Sequence, residues 1–303
     1  MTQNDLVPWG TEEKLNWFKE QVIKRSYLDE VVTKINGLRD TFSVKQYGSL
    51  SYDLDKYPLF LVKSTKFDSS KKSILITGGV HGYETSGVHG ALSFLEREAK
   101  NFAGDFNIIV APCISPWGYE TINRWNPKTV DPNRSFIEDG PSEECNLFLK
   151  EMAALNIELF AHIDLHETTD TDNSVFRPAL EKRDGITQDV WDIPDGFYLV
   201  GDSDNPNEGF QKAIIASVKK VTHIAPADKS GKIIGESIAS EGVINYPVKE
   251  LNLCTGFSDA TYNSTTEVYP DSPKVSDADC VDAQVAAIVG GLEYLRQVIV
   301  KDS

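Results

Sequence analysis

The sequence has few cysteines, and they are dispersed. They form no CxxC pair and lie far apart, at Cys113, Cys145, Cys254 and Cys280. This spacing offers neither a disulfide framework nor a cysteine-based zinc site, so we expect reduced, buried thiols. Long apolar runs are also missing, since none approaches the roughly 18 residues that a membrane-spanning helix needs. The sequence therefore predicts no association with a membrane.

Basic residues are scarce relative to acidic ones. The chain has 30 Lys and Arg against 46 Asp and Glu, a formal net charge of -16. This balance argues against binding to nucleic acid or to an anionic membrane surface. Any anion-binding pocket must be a local exception built by particular arginines. The first residues lack a basic stretch followed by an apolar one, so no signal peptide is predicted and we expect a cytoplasmic protein.

Segments with strand and helix periodicity alternate along the 303 residues. Short apolar runs predict strands at "KKSILITGG", "DFNIIVAPCISP", "IELFAHIDLH" and "ATYNSTTEVY". A first helix is predicted near Thr11, and a last one from Ser276, where Asp279 completes a capping box. The alternation predicts an α/β fold with a mixed, largely parallel central sheet and helices on both faces. In such folds ligands bind beyond the carboxyl ends of the strands.

The segment "GGVHGYETSG", residues 78–87, directly follows one predicted strand. It places an imidazole, His81, and a carboxylate, Glu84, three positions apart, and its glycines permit a sharp turn between them. Zinc accepts both ligand types, and a catalytic zinc site typically has three protein ligands. The pair alone is weak evidence for a metal site, because such a spacing also arises incidentally.

A candidate third ligand occurs in "HIDLHETTD", where His162, Asp164 and His166 alternate and so share one face of a predicted strand. His166 lies where the strand should end and open toward a site. Asp164 could orient a ligand imidazole. His162 is deeper in an apolar run and is interpreted as a core histidine. His89 and His223 are not expected to contact a metal.

Two arginines stand in the loop-like stretch "SPWGYETINRWNPKTVDPNRSF". Guanidinium is the natural bidentate partner of a carboxylate, so Arg124 and Arg134, with Asn133, could hold an anionic ligand. The alternative is that both arginines form structural ion pairs with neighbours such as Asp131. Further along, Glu267 lies within the predicted strand "YNSTTEVYP". Its carboxylate could face solvent, or it could face a pocket and act as a general base.

In their order along the chain, these segments resemble the M14 family of zinc carboxypeptidases. The resemblance runs from about residue 70 to residue 300, and "GGVHGYE", "DPNRSF" and "STTEVY" are its most specific pieces. The sequence around His166, "DLHETTD", is more similar to the related aspartoacylase and succinylglutamate desuccinylase branch than to the digestive-type carboxypeptidases. We expect one metallocarboxypeptidase-like catalytic domain over residues 1–303, in which residues 1–70 lie outside the resemblance and add a helix and strands that extend the domain.

The resemblance also implies the catalytic groups. One Zn²⁺ per chain would be bound by His81, Glu84 and His166. Arg124 would polarise the carbonyl group of the scissile bond, and Glu267 would be the catalytic carboxylate that takes a proton from water.

Substrate contacts are implied in the same way. Asn133 and Arg134 would hold the terminal carboxylate of the substrate. Tyr246 and Tyr262 are the candidates for the family's tyrosine that caps the substrate, and Tyr246 is taken as the substrate-binding one. Asp259 is expected to line the pocket for the substrate side chain, which would favour basic or polar residues.

The expected activity is zinc-dependent hydrolysis of the amide bond next to the free C-terminal carboxylate of a peptide. The alternative is a zinc-dependent N-acyl amino acid deacylase, whose substrate also carries a free carboxylate. That branch commonly adds a C-terminal β domain, whereas 36 residues follow Glu267 here and they are typical of a helix. This difference favours the peptidase. A non-enzymatic binding protein on the same scaffold is disfavoured, because every expected catalytic position is filled.

Overall fold

The computed structural model describes residues 7–302. The strands are β1 (Phe42–Ser49), β2 (Pro58–Ser64), β3 (Lys72–Gly78), β4 (Phe106–Ala111), β5 (Leu159–Glu167), β6 (Tyr198–Asp202), β7 (Lys232–Ile233), β8 (Glu236–Ser237), β9 (Val243–Tyr246) and β10 (Tyr262–Val268). The α-helices are α1 (Thr11–Glu20), α2 (Thr33–Gly37), α3 (Thr85–Arg97), α4 (Ala99–Phe102), α5 (Pro116–Thr121), α6 (Glu143–Leu155), α7 (Arg177–Asp184), α8 (Glu208–Val218) and α9 (Asp277–Asp302). Short π-helical segments at Leu28–Val32 and Asp172–Phe176 lead into α2 and α7, and 3₁₀ turns occupy Pro132–Arg134 and Cys254–Phe257.

The main sheet has eight strands in the order β1-β2-β4-β3-β5-β10-β6-β9, and β7 pairs with β8 separately. Strands β4, β3, β5 and β10 run parallel to one another. On either side of them, β2 joins β4 and β6 joins β10 in the antiparallel direction. The predicted fold class, a mixed and largely parallel sheet between helices, is therefore confirmed.

Both faces of the sheet are buried, which is why its central strands are almost continuously apolar. In β3, Ile74 and Ile76 point into the core that α3, α8 and α9 cover, and Leu75 points to the opposite face, where Phe148 of α6 packs. Successive residues of a strand face opposite sides, so one run of apolar residues serves both layers.

The predicted helix starts agree with the structure. Helix α1 begins at Thr11, with Gly10 as its N-cap. Before α9, the backbone N–H of Ser276 donates to Oδ2 of Asp279 (2.8 Å), and the N–H of Asp279 donates to the hydroxyl oxygen of Ser276 (3.3 Å). Helix α9 is long and apolar enough to cross a membrane by length and composition, but 50% of its most apolar window is buried inside the fold. It therefore has the character of a core helix.

The parallel strands bring three distant segments of the chain to one edge of the sheet. Gly78 at the end of β3 pairs with Leu165 of β5. His166, the next residue of β5, pairs with Glu267 of β10. The turn after β3, the end of β5 and the end of β10 therefore meet at the carboxyl edge, where α/β sheets hold their ligands.

Candidate metal centre

The turn between β3 and α3 carries the first two candidate ligands. Gly79 has φ 59° there, a conformation that favours glycine. Gly82 lies so close to the backbone of Tyr119 that a Cβ atom would overlap it. The backbone N–H of Glu84 donates to the carbonyl oxygen of His81 (3.2 Å) and closes the turn. The glycines therefore allow the tight turn that directs His81 and Glu84 to one point.

Strand β5 supplies the third group. Nδ1 of His81 lies 2.7 Å from Oε1 of Glu84, and Nδ1 of His166 lies 2.7 Å from Oε2 of the same carboxylate. One ligand atom from each of the three residues lies within 4.8 Å of the others, and all three side chains are buried. The structure thus brings together two imidazoles and one carboxylate from opposite ends of a segment of more than 80 residues.

Two further carboxylates fix the orientation of the imidazoles. Nε2 of His81 lies 2.9 Å from Oδ1 of Asp131, and Nε2 of His166 lies 2.7 Å from Oδ2 of Asp164. The hydroxyl of Thr77 in turn donates to Oδ1 of Asp164 (2.6 Å). With each Nε2 donating to its carboxylate, the Nδ1 atoms face each other across Glu84. Carboxylate partners of this kind orient metal-binding histidines.

The charges at this point fit a bound cation. Burial opposes ionisation of Glu84, but the imidazoles of His166 and His81 lower its pKa to about 2. Burial lowers the pKa of His166, whereas Glu84 and Asp164 raise it, and the net result is a pKa well above the usual value. Oε2 of Glu84 is buried and makes no hydrogen bond of adequate geometry, despite its short distance from His166.

The types of the three ligand atoms indicate which cation this site would bind. Two imidazole nitrogens and one carboxylate oxygen form a ligand set characteristic of catalytic zinc, which keeps a fourth position open for water or substrate. Within residues 7–302, no other cluster of three His, Cys, Asp or Glu side chains has a geometry suited to a metal ion. The residues present therefore fit zinc.

The other histidines lie elsewhere. His162 is fully buried, with Nε2 2.9 Å from the hydroxyl of Thr77 and Nδ1 3.2 Å from that of Ser258. It is a core histidine, as interpreted from the sequence. His89 contacts the hydroxyl of Tyr119 (3.0 Å), and His223 contacts Asp195 (2.8 Å), so neither reaches the cluster.

Glu267 faces the cleft beside the cluster and not the outer surface. Its Oε2 accepts a hydrogen bond from the hydroxyl of Thr168 (2.8 Å), and that hydroxyl lies 2.6 Å from the hydroxyl of Tyr198. Burial raises the pKa of Glu267 to about 8; His166 opposes the rise and Glu84 adds to it. A carboxylate whose pKa lies near neutrality is suited to accept and return a proton.

Arg124 combines the two roles that the sequence left open. Its Nε donates to Oδ2 of Asp131 (3.0 Å), and its Nη1 lies 3.6 Å from Oδ1 of Asp172. It therefore forms ion pairs, yet it lines the same cleft as the ligand cluster. Because Asp131 also contacts His81, this one carboxylate connects the arginine to the candidate metal site.

The two residues of the Asn-Arg pair, Asn133 and Arg134, have different surroundings. Oδ1 of Asn133 accepts from the backbone N–H of Cys254 (2.8 Å), and its Nδ2 lies 3.5 Å from Nε2 of His166. Nη1 of Arg134 donates to the carbonyl oxygen of Asn133 (2.7 Å). Among the described residues, no carboxylate lies within 4.0 Å of Arg134. Burial lowers the pKa of this arginine. Its charge remains available for a ligand.

A cleft of about 990 Å³ contains these groups, and Tyr246 at the end of β9 lines it. Burial and the charge of Glu267 raise the pKa of Tyr246 to about 12, so its hydroxyl stays neutral. Tyr262 is not in the cleft, because it packs against Phe160 and Phe210. The expectation for Asp259 is wrong, because its side chain is 91% exposed and pairs with Lys249 outside the cleft.

The sequence motifs assign no role to several residues of the cleft. They offer Asp131 only as an ion-pair partner, and they do not point to Thr168, Asp172 or Arg177. Asp131 stands two residues before Asn133, and Thr168 stands two residues after His166. Nearness in sequence to a candidate site residue is therefore the one signal that could have indicated them. Asp172 and Arg177 belong to a π-helical turn and to α7, which no sequence pattern indicated.

Comparisons with known proteins agree with this geometry. The family model for zinc carboxypeptidases, Peptidase_M14, matches residues 55–165. The matched segment includes His81, Glu84, Arg124 and the Asn-Arg pair, and it ends one residue before His166. No curated protein sequence matches the chain.

Solved structures share the fold at low sequence identity. A Shewanella amazonensis SB2B protein described as a metallopeptidase has a TM-score of 0.66 and 19% identity, over 90% of this chain and 98% of its own. A metallo-carboxypeptidase from Burkholderia cenocepacia has a TM-score of 0.58 and 13% identity, over 96% and 70%.

A metallo-carboxypeptidase from Pseudomonas aeruginosa, solved with (2-guanidinoethylmercapto)succinic acid, has a TM-score of 0.58 and 15% identity, over 89% of this chain and 68% of its own. At these identities the structures show the fold alone. The family match over residues 55–165 supports the resemblance to the M14 zinc carboxypeptidases that the motifs predicted, and the solved structures share its fold.

Proposed function

We propose that this protein is a zinc-dependent metallocarboxypeptidase that hydrolyses the last peptide bond of a substrate with a free C-terminal carboxylate. The observation that carries the proposal is the shared cleft. It holds the cluster of His81, Glu84 and His166, a carboxylate with a raised pKa, and an arginine without a carboxylate partner. The two latter groups, Glu267 and Arg134, are what a hydrolase needs to activate water and to hold an anionic terminus.

Each residue has a separable role in this proposal. Zinc held by His81, Glu84 and His166 would supply Lewis acidity toward the scissile carbonyl and would acidify water. Glu267 accepts a proton from the attacking water and returns it to the departing amine. The guanidinium of Arg124 donates to the carbonyl oxygen as negative charge develops there. Removing such a donor typically raises the barrier by about 2.7–4 kcal/mol.

Arg134 positions the substrate. A buried guanidinium without a carboxylate partner favours an anionic ligand, because the ligand restores the interaction that burial has removed from water. Nδ2 of Asn133 lies on the side of His166 and can add a second donor. When Arg134 binds the terminal carboxylate, the preceding amide bond is placed at the metal centre. Binding of the terminus therefore orients the scissile bond for attack. Tyr246 adds a neutral hydroxyl that can donate to the bound peptide.

A direct assay tests the proposal. Zinc-loaded protein should release the last amino acid from a peptide with a free C-terminus, and mass spectrometry should detect a product that is one residue shorter. The same peptide with a C-terminal amide should remain intact. Cleavage of N-acetylaspartate or N-succinylglutamate, without cleavage of peptides, would favour the deacylase instead. The "DLHETTD" segment around His166 is the observation that keeps this second candidate in the test.

Arg134→Gln should weaken turnover of substrates with a free terminal carboxylate. Loss of a hydrogen-bonded charge typically costs about 10–100-fold, so kcat/KM should fall by that factor. Zinc content should be unchanged, because Arg134 does not contact the ligand cluster. Steady-state kinetics on a peptide with a free C-terminal carboxylate measure the effect, and circular dichroism shows whether the variant is folded. An unchanged kcat/KM in the folded variant would contradict the role of Arg134 in recognition.

Zinc binding should release about one proton at neutral pH and should tighten as pH rises. In the metal-free protein, Glu84 and Asp164 hold the pKa of His166 well above its usual value, so His166 carries a proton that zinc must displace. At pH values below the raised pKa of His166, the apparent affinity for zinc should rise about tenfold with each unit of increasing pH. Calorimetry in two buffers with different ionisation enthalpies counts the protons. A count of zero would contradict this arrangement of charges.

A further inference from the structure

A second arginine without a carboxylate partner lies in the cleft. Arg177 is the first residue of α7, in the segment between β5 and β6. Its guanidinium carbon lies 4.1 Å from the centre of the Trp191 ring, and its Nη1 donates to the carbonyl oxygen of Asp189 (2.7 Å). Stacking on an indole and one backbone hydrogen bond hold the guanidinium in place. The carboxylates of Asp172 and Asp189 act on its charge only from beyond ion-pair distance.

The contrast with neighbouring arginines shows what is unusual about Arg177. Arg124 pairs with Asp131 at 3.0 Å, and Arg183 pairs with Asp184 at 2.7 Å. Among residues 7–302, no carboxylate lies within 4.0 Å of Arg177, and its buried Nε makes no hydrogen bond. A buried donor of this kind is unfavourable in the free protein, so an acceptor from a ligand would be bound strongly.

Arg177 and Arg134 both line the cleft, together with Tyr246. The charges of both arginines oppose the rise in the pKa of Tyr246 that burial causes. Tyr246 belongs to β9, so groups from three separate segments of the chain converge there. In a chain with a net charge of -16, two unpaired guanidinium groups in one cleft are a local exception. They indicate a ligand with two negative groups.

We propose that Arg177 binds the side-chain carboxylate of the substrate's C-terminal residue, so that peptides ending in Glu or Asp are preferred. This inference rests on the proposed function, in which Arg134 holds the terminal carboxylate itself. The second carboxylate of a C-terminal Glu or Asp then meets the second unpaired guanidinium. The position of Asp259 outside the cleft removes the acidic residue that was expected to select basic side chains.

Two peptides that differ only in the last residue, Glu or its uncharged isostere Gln, test the proposal. The wild-type enzyme should favour the Glu peptide in kcat/KM by about tenfold or more. Arg177→Gln should lower kcat/KM for the Glu peptide by about 10–100-fold and leave the Gln peptide nearly unchanged. Arg183→Gln is the matched control, since Arg183 also stacks on a tryptophan, Trp125 (4.6 Å), but already has a carboxylate partner. It should retain the preference for Glu.

Arg177→Lys provides a second variant that keeps the charge, and it should retain part of the preference even if Arg177→Gln folds poorly. A wild-type enzyme that cleaves the Gln peptide as well as the Glu peptide would overturn the proposal. An equal loss on both peptides in the folded Arg177→Gln variant would also overturn it.

A binding measurement separates this inference from the proposed function. Calorimetry with N-acetylglutamate and N-acetylglutamine should show tighter binding of the former to the wild type and similar binding of both to Arg177→Gln. If no peptide is hydrolysed but this difference is present, the proposed function fails and the acidic subsite stands. If peptides are hydrolysed without any preference for Glu, the subsite fails and the function stands.

Discussion

Glu267→Gln should lower kcat by about 10²–10⁴-fold while zinc remains bound, because the amide has nearly the same shape but cannot accept a proton from water. The side chain is held by the hydroxyl of Thr168 at 2.8 Å, and Gln can accept the same hydrogen bond. The geometry should therefore survive the substitution. Elemental analysis measures the zinc content, and steady-state kinetics on a C-terminally free peptide measure kcat.

Glu167→Gln is the matched control for this substitution. Glu167 is also a cleft carboxylate, and burial raises its pKa to about 7. Its Oε1, however, accepts from the backbone N–H of Ser86 (2.6 Å), which fixes it toward α3 and away from Glu267. Its replacement should change kcat much less than that of Glu267. Near-normal turnover by Glu267→Gln, or a larger loss in Glu167→Gln, would contradict the assignment of the general base.

The dependence of this activity on pH follows from the same carboxylate. Glu267 must be ionised to accept a proton, and its raised pKa places that ionisation near neutral pH in the metal-free protein. A bound divalent cation lowers the pKa of a nearby carboxyl group, since it stabilises the charged form. Activity should therefore be lost as pH falls through the lowered pKa, and Glu267→Gln should remove this acidic limb from the remaining activity.

The sequence was sufficient to predict the residues of the site that lie at the ends of strands. The run "SILIT" and its glycines located the end of β3, and the alternation in "HIDLHETTD" located the end of β5. Parallel pairing in register then brings Gly78 beside Leu165, and His166 beside Glu267. Because strand periodicity and parallel pairing are local and regular, they convert spacing along the chain into neighbours in space.

The rest depends on loops, and it could not be predicted from periodicity. Asp131 contacts both His81 and Arg124, but it does so from a turn whose path is set by packing against other segments. Asp259 stands only eight residues before Glu267, yet after the 3₁₀ turn at Cys254–Phe257 its side chain points to solvent and not into the cleft. Position in the sequence says little about which side of a loop faces a pocket.

Arg177 illustrates the same limit at another residue that lines the cleft. The segment between β5 and β6 has no amphipathic pattern of its own, and none of the residues of α7 is fully buried. A weakly patterned helix gives no signal from which an inward direction could be inferred. The structure shows that Arg177 lines the cleft and stacks on Trp191, which lines the cleft as well.

His166→Ala should abolish zinc binding under conditions in which the wild-type protein retains one zinc ion. His166 supplies one of three candidate ligands, and the remaining pair, His81 and Glu84, would have to hold the ion alone. Loss of an outer partner typically weakens metal affinity by about 10–100-fold, so loss of a ligand itself should exceed that range. Elemental analysis after dialysis measures the retained metal, and circular dichroism confirms that the variant is folded.

Two other residues of β5 make this prediction specific. Asp164 orients His166 through Nε2, so Asp164→Asn should weaken zinc affinity within the roughly 10–100-fold range and leave measurable binding. His162 lies on the same face and is equally buried, but it contacts Thr77 and Ser258 and not the cluster, so His162→Gln should keep its zinc. If all three variants lost zinc equally, the cause would be disruption of β5. A graded loss, from His166 through Asp164 to His162, requires that the metal be held at the end of the strand.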